Sequence, residues 1–65
     1  MIETIGMNAG LVWNALNESN NQAFKALKKS TKLKEKDLCA ALGWLAREGK
    51  INMTEGAEDI IVSLL

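Results

Sequence analysis

Apolar side chains recur every three or four positions through the first seventeen residues of the chain. At about 100° of rotation per helical residue, these positions fall on one face. The spacing predicts a first helix from about Glu3 to Asn17, with this face in the core. The members of the face are Ile2, Ile5, Ala9, Val12, Trp13 and Leu16.

Two further helices are predicted from the same spacing. The second runs from about Gln22 to Lys29 and the third from about Glu35 to Glu48, with a tight turn at residues 30–32 between them. Leu33 follows this turn as an apolar plug. Gly49 ends the third helix, because glycine adopts a left-handed exit without a Cβ clash. The inward residues are Ala23, Phe24 and Leu27 on the second helix and Leu38, Ala41, Leu42 and Leu45 on the third.

After Gly49 the apolar period changes to two, which is typical of strands. Two short alternating runs are separated by a turn at residues 55–57, so the pattern predicts a β-hairpin. Its apolar face is expected to close the core, since an isolated hairpin is marginally stable. The residues of that face are Ile51, Met53, Ile60, Val62 and Leu64.

The predicted order, three helices and then a hairpin, defines an α+β fold in a single domain over residues 1–65. The stretch LKEKDLCAALGWLAREGKI resembles the third helix and wing entry of the winged helix-turn-helix superfamily, and Leu33, Leu38, Leu42, Leu45 and Gly49 carry the match. The chain also resembles a family of small single-domain bacterial winged-helix proteins without an assigned function. The resemblance implies DNA binding and transcription regulation, although one fold serves several functions.

Charge is unevenly distributed along a chain whose formal net charge is zero. Residues 25–36 contain six lysines and one glutamate, a net charge of +5, and the remaining residues carry −5. Because the resemblance implies that the third helix enters the major groove, this basic segment is the expected phosphate-binding surface. The predicted nucleic-acid contacts are Lys28, Lys29, Lys32, Lys34, Lys36 and Arg47.

Other residues oppose base-specific reading. A helical projection places Ala40 and Gly43 on the outermost face of the third helix, and neither side chain can hydrogen-bond a base edge. Asp37 would face or approach phosphates, and the acids of the wing tip, residues 54–59, would be repelled by a duplex. Phosphate-dominated DNA binding is therefore favoured over sequence reading.

The alternative function is a protein-interaction or dimerisation module that binds no DNA. Four apolar residues are expected on outward faces of the first helix and last strand, and they predict a symmetric homodimer interface. Gly6 and Gly10 allow another backbone to approach the first helix. Trp44 is interpreted as a packing residue. The predicted interface residues are Met7, Leu11, Ile61 and Leu65.

Candidate chemistry beyond binding is sparse. The sequence has no histidine and a single cysteine, Cys39, which is expected to be half-buried. No Cys/His set, glycine-rich phosphate loop or paired acids are present, so neither a metal, a cofactor nor an enzyme activity is predicted. No signal peptide or membrane-spanning stretch is recognised, and we expect a cytoplasmic protein without membrane contact.

Overall fold

The computed structural model describes all residues from 1 to 65 and contains three helices and a three-stranded antiparallel sheet. This confirms the predicted winged-helix arrangement. The strands are ordered β1-β3-β2, so the last strand is central. The elements in chain order are α1 (Ile2–Glu18), β1 (Gln22–Ala23), α2 (Phe24–Thr31), α3 (Glu35–Arg47), β2 (Ile51–Glu55) and β3 (Ile60–Leu64).

The core forms where α1 crosses α3, and α2 and the sheet close it. All four residues of the predicted inner stripe of α3 are buried, which confirms the register of that helix. The stripe works because residues spaced by three and four positions project from one side of the helix. The ten buried residues are Ala9, Val12, Leu16, Leu27, Leu38, Ala41, Leu42, Leu45, Ile51 and Val62.

The predicted stripe of α1 is wrong at two positions. Ile2 is 69% exposed and Trp13 is 38% exposed, so neither belongs to the buried core. Ile2 is the first residue of the helix and lies beyond the elements that cover α1. Trp13 lies at the edge of the stripe, where its indole reaches the surface instead of the centre of the domain.

The start of the predicted second helix is also wrong, because Gln22 and Ala23 form the short strand β1. They pair antiparallel with Val62 and Ile61 of β3. The Gln22 side-chain amide donates hydrogen bonds to the Ala15 and Ser19 carbonyls, at 2.9 and 2.6 Å. The Ala15 carbonyl also accepts the Ser19 backbone N–H, at 3.1 Å, so Gln22 adds a second bond there and supplies a donor to the C-cap carbonyl of Ser19. Gln22 thus ends one helix instead of beginning the next.

Two helices end at residues with a left-handed backbone. Helix α3 exits through Gly49, with φ of 70°, as predicted. Helix α2 continues through residues 30 and 31, which were predicted as turn, and ends at Lys32 with φ of 61°. A lysine has a Cβ that crowds the backbone in this conformation, whereas glycine does not. The turn between α2 and α3 is therefore strained at Lys32.

Burial along the hairpin decreases from its base to its tip. The register pairs Ile51 with Leu64, and Met53 with Val62, so the predicted apolar face exists. Ile51 and Val62 are buried, but Met53 is 41% exposed and Ile60 is 42% exposed. The expectation that all five residues close the core is therefore wrong at Met53 and Ile60, the two of the five nearest the tip.

Candidate nucleic-acid interface

The basic segment forms an exposed surface that follows α2, the turn and the start of α3. Lys25, Lys28 and Lys29 lie on α2, Lys32 occupies the turn, and two more lysines begin α3. None is drawn into the core, whereas Leu27 of α2 and Leu38 of α3 are buried. The exposed lysines are Lys25, Lys28, Lys29, Lys32, Lys34 and Lys36.

The amino end of α3 combines this positive charge with open backbone donors. Lys34 occupies the N-cap position, and no side chain caps the helix there. The first N–H groups of a helix have no intrahelical partner, and the aligned peptide dipoles favour an anion beside them. Lys34 and Lys36 flank this end together with Glu35 and Asp37 of the first turn, so two predicted contact residues lie at a helix end that favours an anion but carries two acids of its own.

The solvent face of α3 differs from the projected one. Ala40 is half-buried beside the first turns of α1, where it lines a small cavity with Ile5 and Asn8. Placing Ala40 on the outermost face was wrong, because α1 covers one flank of α3. Cys39, expected to be half-buried, is exposed instead. The exposed residues of α3 are Glu35, Lys36, Cys39, Gly43, Trp44, Ala46 and Arg47.

Asp37 belongs to the covered flank. Its side chain is half-buried and lines the same cavity as Ala40 and Lys36, on the side facing α1. Its charge is close to the amino end of α3, but it is not on the face that carries Cys39 and Gly43. The expected conflict between Asp37 and a phosphate at the amino end of α3 therefore remains.

One acid of the wing tip has a structural role that the sequence did not reveal. The Asp59 carboxylate accepts hydrogen bonds from the backbone N–H groups of Lys25, at 3.0 Å, and Ile60, at 2.8 Å. Lys25 is the second residue of α2, so Asp59 caps that helix from the wing. These bonds, together with the nearby Lys25 charge, lower the Asp59 pKa below its ordinary value of 3.8. Glu55 and Glu58 remain exposed.

The four residues predicted for a dimer interface lie on α1, on β3 and directly after β3. Met7 is 74% exposed and Leu11 49% exposed on α1, and Leu65 is 79% exposed beyond β3. Ile61 is half-buried, and a Cβ at Gly56 would lie 3.2 Å from its side chain. The contribution of these four residues to self-association stays a prediction.

A second cavity on the surface is lined by both tryptophans of the chain. Trp13 of α1 and Trp44 of α3 line one cavity of about 360 Å³ and are each 38% exposed. Gly6 and Gly10 line the same cavity from α1. Trp44, interpreted from sequence as a packing residue, packs only in part. Trp13 was assigned to the core, so this pair was not predicted.

The structure holds no group of three or more His, Cys, Asp or Glu side chains that could bind a metal ion. No helix is both long enough and apolar enough to cross a membrane.

Three helices, a turn of three residues before α3 and a closing hairpin define a winged helix-turn-helix domain, a class that commonly binds DNA. The chain matches the family model described as winged helix-turn-helix domain (DUF2582) over residues 1–64 and belongs to that family. It is also similar to the solution NMR structure of protein BT2368 from Bacteroides thetaiotaomicron. The two share 34% sequence identity with a TM-score of 0.85, over 95% of this chain and 76% of the other. The comparison with curated proteins gives no significant match.

Proposed function

We propose that this chain binds double-stranded DNA through the phosphate backbone, with little dependence on sequence, as a small transcriptional-regulator-like protein. The observation that carries the proposal is the exposed run of six lysines from α2 into the amino end of α3. Lysine side chains neutralise phosphates and release counterions, which supplies affinity without sequence information. Lys28, Lys29, Lys32, Lys34 and Lys36 supply the contacts, and Arg47 extends them along α3.

The side chains on the free face of α3 support phosphate binding over base reading. Cys39, Gly43 and Ala46 have short side chains or none, and all three are exposed along α3. Short side chains let a helix approach the groove, but they cannot form the bidentate hydrogen bonds that distinguish base pairs. We therefore expect unrelated duplexes of equal length to bind with similar affinity.

Fluorescence anisotropy with a labelled random-sequence duplex at low salt tests this proposal. We expect Lys34→Glu to weaken binding by at least about tenfold, since the substitution reverses a charge beside a phosphate. Asn52→Glu is the control for added negative charge, because Asn52 is exposed on β2, outside both the basic segment and the cavity beside α1. Equal losses from both variants, or no binding by the parent protein at micromolar concentration, would contradict the proposal.

A protein-interaction module is the second candidate function. The observation that favours it is the apolar exposure on α1, where Met7 and Leu11 face solvent. A homodimer is compatible with both functions, since winged-helix contacts with DNA use α3 and leave α1 accessible. Leu11→Lys, followed by the molar mass in solution, tests whether the predicted set of four apolar residues forms the interface.

A further inference from the structure

The cavity between Trp13 and Trp44 is the least expected feature of the surface. It lies between the middle of α1 and the end of α3 and has a volume of about 360 Å³. Both indoles leave more than a third of their area exposed. Tryptophan is enriched at the centres of protein interfaces, where a partner removes such area from water.

The glycines beside the tryptophans have no packing reason within the chain. A Cβ placed on Gly6 or Gly10 would have no other atom within 4 Å. Glycine inside a helix is less favourable than alanine, so two of them in α1 destabilise the isolated helix. Their effect is to leave a depression on α1, into which a large side chain from outside could fit.

The chemistry of α1 indicates what kind of molecule covers this depression. Residues 4–17 contain no charged side chain, although charged residues make up 25% of the chain. A surface that binds nucleic acid requires cations, whereas the centre of a protein interface is depleted in charge. Lys50 is the single charged residue that lines the depression. One cation is too few for a polyanion, so the depression favours a protein helix over a nucleic acid.

We propose that a second copy of this chain covers the depression, with the two α1 helices packed antiparallel about a two-fold axis. In an antiparallel pair about an axis between Ala9 and Gly10, Trp13 of each copy lies over Gly6 of the other. The projection and the depression are about 10 Å apart along α1, seven residues at 1.5 Å each. The same surface thus contains both complementary parts, which an isologous interface requires.

The proposed interface is small but sufficient for a reversible dimer. An interface of standard size buries about 800 Å² per partner, roughly one sixth of the 4582 Å² surface of this domain. The 17 residues of α1 give a contact about 25 Å long, and Trp44 and Lys50 widen it beside the helix. We therefore expect association at micromolar concentration. This dimer leaves the lysines of α2 and α3 outside the interface, so the inference does not depend on duplex binding.

Sedimentation equilibrium of the intact chain, from about 1 to 200 μM, tests the interface. The parent protein should approach twice its 7.1 kDa mass. We expect Gly6→Leu and Gly10→Leu to weaken the dimer at least tenfold while keeping the fold, because each adds a better helix former in open space. Gly43→Leu is the matched control, since Gly43 is also in a helix interior with no atom near its Cβ position.

Two further variants make the outcome decisive. With Trp44→Phe, Trp13 is the only tryptophan, and its emission should shift to shorter wavelength as the dimer forms. Leu11→Lys should leave the mass unchanged, because Leu11 is on another side of α1 from Gly6. A monomer throughout the range, a dimer that persists in both α1 glycine variants, or one dissociated by Leu11→Lys or Gly43→Leu would overturn the proposal.

Discussion

The surface around the α2–α3 turn and the surface of α1 differ in almost every physical property. Residues 25–36 hold six of the eight basic residues, and all six lysines are exposed. Residues 4–17 hold no charge and present exposed tryptophan, methionine and leucine side chains beside two glycines. A net charge of zero conceals this separation. The first surface suits a polyanion at low salt, and the second suits an apolar partner whose binding depends little on salt.

Both surfaces depend on the packing of α3 against α1. A substitution in this packing should therefore have the largest effect on the stability of the domain. Leu42→Ala should destabilise the domain by about 2–5 kcal/mol, because it empties a buried leucine site. In a chain of this size, such a loss should leave much of the protein unfolded at 37 °C. Urea denaturation followed by circular dichroism checks it, with Leu11→Ala as an exposed leucine control. Equal midpoints for the two variants would contradict the observed register of α3.

The ends of α2 and α3 both have a residue with left-handed backbone, Lys32 in one and Gly49 in the other, so the cost of a Cβ can be compared between them. Gly49→Ala should destabilise the domain by about 1 kcal/mol, since a Cβ is introduced at φ of 70°. Ser63→Ala, at a half-buried site within β3, serves as a control for general sensitivity to substitution. Thermal unfolding measures the difference. An unchanged melting temperature in Gly49→Ala would mean that the strain at this position is relieved elsewhere.

Lys32→Gly should have the opposite effect on stability and should also affect function. Removing the Cβ at φ of 61° should stabilise the domain by up to about 1 kcal/mol. The same change removes one phosphate-binding charge, so duplex affinity should fall several-fold. Lys32→Ala separates the two effects, because it removes the charge and keeps the strain. A loss of stability in Lys32→Gly would contradict this prediction and would indicate that the lysine side chain itself stabilises the fold.

The smallest expected effect concerns the connection between the wing and α2. Asp59→Ala should lower the melting temperature at neutral pH, because the Lys25 N–H loses its acceptor. The native pKa of Asp59 is below the ordinary value of 3.8, so the carboxylate stabilises the fold above that pH. This contribution disappears as the pH falls through the native pKa. The parent and the variant should therefore converge in stability at acidic pH. A constant difference down to pH 2 would exclude the carboxylate as its cause.

The helices and strands with a clear apolar period were predictable from sequence. A very short strand and a contact between residues distant in sequence were not. The stripe from Leu38 to Leu45 identified α3, and the alternation around Ile51 and Val62 identified the hairpin. Strand β1 has two residues, too few to show any period, and it exists because β3 offers it a partner. The Asp59 cap joins positions 34 residues apart, which no local pattern records.

The candidate sites were also predictable only in part. Exposure of the lysines was predictable, because a run of charged residues is rarely buried. The free face of α3 was not, because a helical projection takes no account of the neighbouring helix that covers Ala40. The exposure of Trp13 was missed for a related reason, since its angle on the helix suggested burial. Only the positions of the other elements show that it lines a cavity instead.

The salt dependence of duplex binding tests the central claim, that the basic surface binds phosphates without reading sequence, most directly. Association constants should be measured for two unrelated duplexes of equal length between 20 and 200 mM salt. With four or five phosphates neutralised, the slope of log K against log salt should be about −3.5 to −4.5, and the two duplexes should agree within about threefold. A slope near zero, no binding at 20 mM salt, or discrimination above about a hundredfold would contradict the account.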